Sequence, residues 1–193
     1  VFAHVLDNRA YITEAETLAL LRYVQKAKAD VVELGTFFGG TTVNIARHLP
    51  ADPNIALWTV DVFSGYSNGI SPVSIYSQLV EFDRAFVLIG NSNHIGRYWS
   101  HDIGVLFIDG GHDYDTVSND FNIWSQWVIP GGIIAMHDAK AVEELVSLGS
   151  MKIGGYFSDV ITFANEVIEA GEWKVVEEVD TTLFFVRSNL AGE

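Results

Sequence analysis

The sequence predicts a doubly wound α/β domain, with a mostly parallel seven-stranded sheet and a C-terminal antiparallel hairpin. Three observations predict it. Short apolar or β-branched runs alternate in strict order with helical stretches, the pattern of parallel strands joined by right-handed crossovers. Acids and glycines recur where those runs end, as in Glu33-Leu34-Gly35 and Ile108-Asp109-Gly110. The last two runs are separated by only Asp180-Thr181, too few residues for a crossover and enough for a hairpin.

Thr13 to Ala29 carries Leu18, Leu21 and Val24 on one helical stripe, and Thr13 stands three residues before Glu16 in a capping-box pattern. Val31 to Gly35 has the composition of an inner parallel strand. Helix Thr41 to Leu49 follows, with Thr41 or Thr42 as its cap. Next come strand Ala56 to Asp61, a loop holding Ser64, Gly65, Ser67, Asn68 and Gly69, and a helix beginning near Pro72, a residue suited to a first turn. Strand Ala85 to Ile89 leads into a turn at Gly90-Asn91-Ser92-Asn93, and strand Val105 to Asp109 precedes helix Thr116 to Trp127. Pro130-Gly131 introduces strand Gly132 to Met136. A helix around Phe157 to Ala170 then leads to the hairpin strands Trp173 to Val179 and Thr182 to Arg187.

At 193 residues the chain is read as one domain, 1–193, in which residues 1–30 form a helical segment before the first strand. A hydrophobic fraction of 49% is globular. The net charge of -14 argues against nucleic acid, whose phosphates need clustered Lys and Arg. The expected partner is a small molecule, and a homodimer is left open. With no cysteine, disulfides, zinc thiolates and a thiol nucleophile are excluded, which fits a cytoplasmic protein. No apolar run is long enough to span a membrane, and no export leader is read at the start.

Chemistry concentrates at two places. In Val31-Val32-Glu33-Leu34-Gly35-Thr36-Phe37-Phe38-Gly39-Gly40-Thr41-Thr42, a strand breaks into a glycine turn and then a helix, a nucleotide-shaped corner. Its G-x-x-x-G-G spacing is not the dinucleotide fingerprint. Glu33 beside the ligand suits a cationic nucleoside with a free amino group, and Asp61, ending the next strand, can accept ribose hydroxyls. The alternative is that Glu33 is a solvated strand-end acid and Gly39-Gly40 a plain loop.

The second place joins Asp109 and Asp138, each at a strand end and so at one sheet edge. Paired carboxylates call for a cation or a proton, and oxygen ligands suit Mg²⁺ or another hard divalent ion. The alternative has Asp109 bonding a ligand amino group and Asp138 capping a helix, without metal. His112 follows Asp109 and two glycines, where an imidazole can act as general base. His137 is a third ligand, an orienting residue or a pocket wall. His4, His48, His94 and His101 are read as structural or solvated. Phe37, Phe38, Phe63 and Tyr66 stand on loops at the active edge, where rings can hold adenine or an aromatic substrate. Trp58, Trp124 and Trp127 are assigned to packing, and Tyr98 and Trp99 are left open.

From Val31 to Asp138 the chain resembles a class I S-adenosylmethionine-dependent methyltransferase with a Rossmann-like fold. It is most similar to the metal-dependent catechol O-methyltransferase type and to the macrocin O-methyltransferase and cephalosporin-hydroxylase-like group. The resemblance implies that Glu33, Gly35, Phe37 and Thr41 line the methionine part of the cofactor, with Thr36, Gly39 and Val62 also among the cofactor-binding residues. Asp61 would hold the ribose, and Ser92 and Asn93 would lie beside adenine. Asp109 would contact the cofactor amino group and, with Asp138, ligate the metal; His112 stands where the catechol enzymes carry a lysine base. The family's third ligand falls at Ala139 here, so His137 takes that role. The implied activity is methylation of a small-molecule hydroxyl, with S-adenosylmethionine and Mg²⁺ or another divalent cation as cofactors. A hydroxylase-like enzyme and a non-catalytic cofactor binder are the alternatives. Acceptor choice is expected to lie with Phe2 to Tyr11, Ser64 to Ser71 and Ser150 to Tyr156.

Overall fold

The computed structural model of the protein describes residues 6–64, 71–141 and 157–188. Of the expected acceptor segments, residues 2–5, 65–70 and 150–156, with His4 and Tyr66, lie outside the described residues. The elements in chain order are α1 (Glu14–Val24), β1 (Asp30–Leu34), α2 (Gly40–Arg47), β2 (Leu57–Asp61), α3 (Pro72–Leu79), β3 (Ala85–Ile89) and α4 (Ser92–Gly96). They continue as β4 (Ile103–Ile108), α5 (Tyr114–Trp124), β5 (Val128–Met136), α6 (Ser158–Ala170), β6 (Trp173–Val179) and β7 (Thr182–Arg187).

The seven strands pair in the order β3-β2-β1-β4-β5-β7-β6. The first five are parallel, and β7 runs antiparallel to both β5 and β6. After β1 the chain moves outward through β2 and β3, then returns to β4 on the other side of β1. The carboxyl ends of β1 and β4 therefore flank the switch point where open α/β sheets take their ligands.

Successive strand residues face opposite layers, and the two cores separate on that alternation. Val31, Leu57, Val105, Phe107 and Phe184 pack with Leu20, Leu21, Val24, Val43, Ile45 and Ile75 beneath α1, α2 and α3. Val32, Leu34, Leu106, Ile108, Met136 and Phe185 pack with Val117, Phe121, Trp124, Phe163 and Val167 of α5 and α6. Trp124 and Trp99 are buried in this second layer, whereas Tyr98 is exposed.

Thr13 forms the expected capping box with Glu16, and Ser71 caps α3 with Pro72 in its first turn. Three boundaries differ from expectation. The N-cap of α2 is Gly39 in a left-handed conformation with no side-chain cap; Thr41 and Thr42 lie inside the helix, and the Thr42 hydroxyl is given to Glu33 instead. The Gly90-Asn91-Ser92-Asn93 turn is a short helix entry, because the Asn91 side chain accepts from the His94 amide. Strand β5 begins at Val128, so Pro130-Gly131 lies within it. The register to β4 shifts there, with Ile103 opposite Val128 and Val105 opposite Ile133, and this irregularity accommodates a proline that cannot donate to the ladder.

Candidate active site

The corner after β1 is shaped first by the protein's own packing. Gly35 has φ 95°, and a Cβ there would lie 2.1 Å from the Asp109 carbonyl oxygen. At Gly40 a Cβ would lie 2.0 Å from the Ala10 amide nitrogen, because the segment before α1 crosses the start of α2. Asp61 fixes the turn between them: its Oδ2 accepts from the amides of Thr36 at 2.9 Å and Phe37 at 3.2 Å, and its Oδ1 accepts from Phe63 at 2.7 Å. The same carboxylate lines the cleft above the sheet.

Glu33 sits elsewhere than the sequence suggested. It shares the α2 face of β1 with Val31, is 0% exposed, and does not line the cleft. Its Oε2 accepts from Thr42 at 2.6 Å and Thr59 at 2.7 Å, while Oε1 is buried with no hydrogen-bond partner among the described residues. Burial pushes its carboxyl up to about 8, against the hydrogen bonds of Thr42 and Thr59. Glu33 thus ties β1 to β2 and α2 through Thr59 and Thr42, and its burial favours the protonated form.

The ends of β4 and β5 carry the titratable cluster. His137 Nδ1 lies 2.9 Å from Asp109 Oδ1 and 3.3 Å from Asp138 Oδ2, and its Nε2 lies 3.7 Å from Glu16 Oε2. Burial alone would lower His137, but the carboxylates of Asp109, Asp138 and Glu16 outweigh it and hold the imidazole well above its ordinary value. Against the cost of burial, hydrogen bonds from His112 and His137 hold Asp138 down to about 2. Asp138 has φ 56°, a left-handed conformation uncommon outside glycine that aspartate adopts more readily than most residues. The amides of Ala139 and Lys140, both donating to the Thr181 carbonyl, pin this bend. Ala139 itself is buried in the core.

His112 Nε2 lies 3.1 Å from Asp138 Oδ2, and the ring meets Phe157 edge to face with centroids 5.0 Å apart. Asp109, His137 and Asp138 each offer a ligand atom, and those atoms lie within 4.8 Å of one another. A divalent cation suits two carboxylates and an imidazole at that spacing.

A cleft of about 760 Å³ opens over these groups, within the size range of small-molecule sites. Of the residues singled out in the sequence, Gly35, Phe37, Asp61, Val62, Ser92, Asp109, His112, His137 and Asp138 line it. Thr36, Gly39, Thr41 and Asn93 do not; Asn93 stands one residue further into α4 with its Oδ1 buried. Phe38 stacks on Tyr11 beside Phe37, with ring centroids 5.7 Å apart. Tyr11, the last residue of the first expected acceptor segment, also lines the cleft, whereas the sequence reading missed Glu16, Asp120, Phe157 and Thr181. Asp120 carried a usable signal: it interrupts the apolar stripe Val117, Phe121, Trp124 on the buried face of α5.

Residues 32–139, more than half of the chain, match the methyltransferase-domain family. The chain belongs to that family. A viral relative, an uncharacterised protein of Acanthamoeba polyphaga mimivirus, is 30% identical over 152 residues, covering 70% of this chain and 58% of the relative. The chain thus spans under two thirds of that protein's length. Among solved structures, the O-methyltransferase TomG from Streptomyces achromogenes, in complex with SAM, is similar with TM-score 0.67 and 19% identity, over 92% of this chain and 82% of that one. The O-methyltransferase from Bacillus cereus in complex with SAH is similar with TM-score 0.66 and 18% identity, over 94% and 84%. These likenesses establish the class I methyltransferase fold.

Proposed function

We propose that the protein transfers the methyl group of S-adenosylmethionine to the hydroxyl of a small molecule. The observation that carries this reading is the juxtaposition, in one cleft, of the Asp61-braced turn with the His112–Asp138–His137–Asp109 cluster. A nucleoside lying along the strand ends would set its ribose at Asp61 and its reactive end at Asp109 and His112. Solved relatives of the same fold that hold SAM or SAH support the cofactor.

In the transfer, a lone pair of the acceptor oxygen attacks the methyl carbon while the carbon–sulfur bond breaks, leaving a neutral thioether. The hydroxyl proton passes to His112, whose ring is oriented by its hydrogen bond to Asp138. Most of the acceleration comes from alignment of oxygen, carbon and sulfur in a site lined by Phe37 and Phe157. Asp109, Asp138 and His137 would hold a divalent ion, which when bound supplies a Lewis acid that lowers the acceptor hydroxyl's pKa. One observation favours a metal-free version: His137 Nδ1 lies 2.9 Å from Asp109 and 3.3 Å from Asp138, where an imidazolium would offset part of their negative charge.

The net charge of -14 supports a small acceptor over a nucleic acid. Among the described residues, no helix is long and apolar enough to cross a membrane; a cytoplasmic site of action belongs to the same proposal.

Calorimetric titration with S-adenosylhomocysteine tests the cofactor. Micromolar binding that weakens at least about tenfold in Asp61→Ala supports the reading, since a hydrogen bond to a charged group contributes about 1.5–3 kcal/mol. No binding by the wild type would overturn it. Mn²⁺ titration followed by electron paramagnetic resonance separates the two versions: binding abolished in Asp138→Asn supports the ion, and no binding to the wild type supports the metal-free route.

A further inference from the structure

We propose that Asp120 is a specificity residue that reads the exocyclic amino group of the cofactor's purine, with Ser92 holding its carboxylate in place. The inference rests on the methyltransferase reading and deepens it. With the reacting end of the ligand at His112 and the ribose at Asp61, the base must lie beyond β2, between Val62, the Gly90–Ser92 turn and the start of α5. Asp120 projects into that end of the cleft from α5.

Three features make Asp120 a recognition group. It lines the cleft although only 2% exposed, so its carboxyl reaches the pocket from within the wall. One oxygen is fixed, because Ser92 Oγ donates to Oδ1 at 2.5 Å. The other, Oδ2, lies 3.4 Å from where a Cβ on Gly110 would stand, so a glycine leaves the approach to it open. Among the described residues, Ser92 is the single donor recorded for this carboxyl, and burial pushes it up to about 6. A buried acid short of donors is costly, and a ligand N–H relieves that cost.

The chemistry of the base then follows. A 6-aminopurine presents an N–H donor that a carboxylate can accept, whereas a 6-oxopurine presents an acceptor oxygen that the carboxylate repels. Sites that hydrogen-bond a ligand group reject analogues lacking it more strongly than apolar pockets reject changes of size.

The test compares S-adenosylhomocysteine with S-inosylhomocysteine by calorimetry on the full chain, with thermal unfolding as the control for folding. The wild type should bind the adenine compound at least about tenfold more tightly. Asp120→Ala should weaken that compound about tenfold or more and bring the two ligands within about threefold of each other. Asp120→Asn is nearly isosteric, and its amide can turn to offer either an acceptor or a donor, so it should also lose the discrimination. That variant decides the matter if the alanine variant unfolds. Equal binding of both ligands by the wild type, or an undiminished ratio in Asp120→Asn, would overturn the proposal while leaving the cofactor assignment standing. Failure of the wild type to bind either compound would overturn that assignment and this one with it.

Discussion

Glu16 of α1 faces His137 across the cleft wall, with Oε2 3.7 Å from the imidazole Nε2, while its Oε1 accepts from the Thr181 amide and from the hydroxyls of Thr181 and Thr182. The same Oε2 accepts from the Thr13 amide at 2.8 Å. One carboxylate, 2% exposed, therefore joins the N-terminal helix, the hairpin turn and the titratable cluster.

Removing it should be costly. Glu16→Ala is expected to destabilise the fold by about 3–5 kcal/mol, the usual result of deleting one partner of a buried ion pair. Glu16→Gln, which keeps an acceptor oxygen, should lose less. Although burial raises it, bonds from His137, Thr13 and Thr181 hold Glu16 down to about 2, below its ordinary 4.5. Its contribution is therefore fully present above about pH 4.5 and lost as pH falls toward 2. Urea unfolding between pH 3 and 7 measures this, and a loss under about 1 kcal/mol in the alanine variant would show that the contacts do not hold α1.

Gly35 gives a second prediction. Since a Cβ there would meet backbone at 2.1 Å, and φ is 95°, Gly35→Ala must displace the Asp109 loop from β1. An effect above about 4 kcal/mol, or failure to fold, is expected. Differential scanning calorimetry checks it; a melting temperature within a few degrees of the wild type would mean that Asp109 does not approach the turn as described.

Burial raises Glu33 to about 8 from an ordinary 4.5, so between those values the folded state holds a proton that the unfolded state releases. The sign follows directly: the stability Glu33 contributes is fully present below about pH 4.5 and falls as pH rises, by up to about 1.4 kcal/mol per unit, levelling off above about pH 8. Glu33→Gln removes that proton and should gain on the wild type steadily from pH 5 to pH 8. Parallel denaturation series for the two proteins isolate Glu33 from His137, which is common to both. A constant difference across the range would place an ionised Glu33 in the fold.

Strand and helix order were legible because period-2 and period-3.6 patterns record burial directly, and the switch point follows from the order of the elements. The position of the candidate site was legible where a residue ends or closely follows a strand: Asp61, Asp109 and Asp138 all line the cleft. Glu33 misled because it precedes a glycine turn, yet alternation with Val31 turns it under α2. The close approach of the Asp109 backbone to Gly35 and of the Ala10 backbone to Gly40 was not legible, because nothing in the sequence reports contacts between residues so far apart in the chain. Glu16 was readable as a cap but not as a neighbour of His137, a meeting set by the hairpin turn 165 residues away.

The remaining prediction concerns proton transfer at His112. Its Nε2 lies 3.1 Å from Asp138 Oδ2, and Gly110 and Gly111 carry its loop across the cleft. A general base contributes about 10²- to 10⁴-fold, so His112→Ala should lower methyl transfer by that order once an acceptor is in hand. Affinity for S-adenosylhomocysteine should change little, because the proposed placement sets the cofactor's ribose and purine ends at Asp61 and beyond, away from His112. Asp138→Asn should lose activity too, since its amide can no longer accept from the imidazole as an anion does. Single-turnover transfer of isotope-labelled methyl separates this step from product release. Wild-type single-turnover rates in His112→Ala would move the proton to another group, and His137, 2.9 Å from Asp109, would be the next residue to substitute.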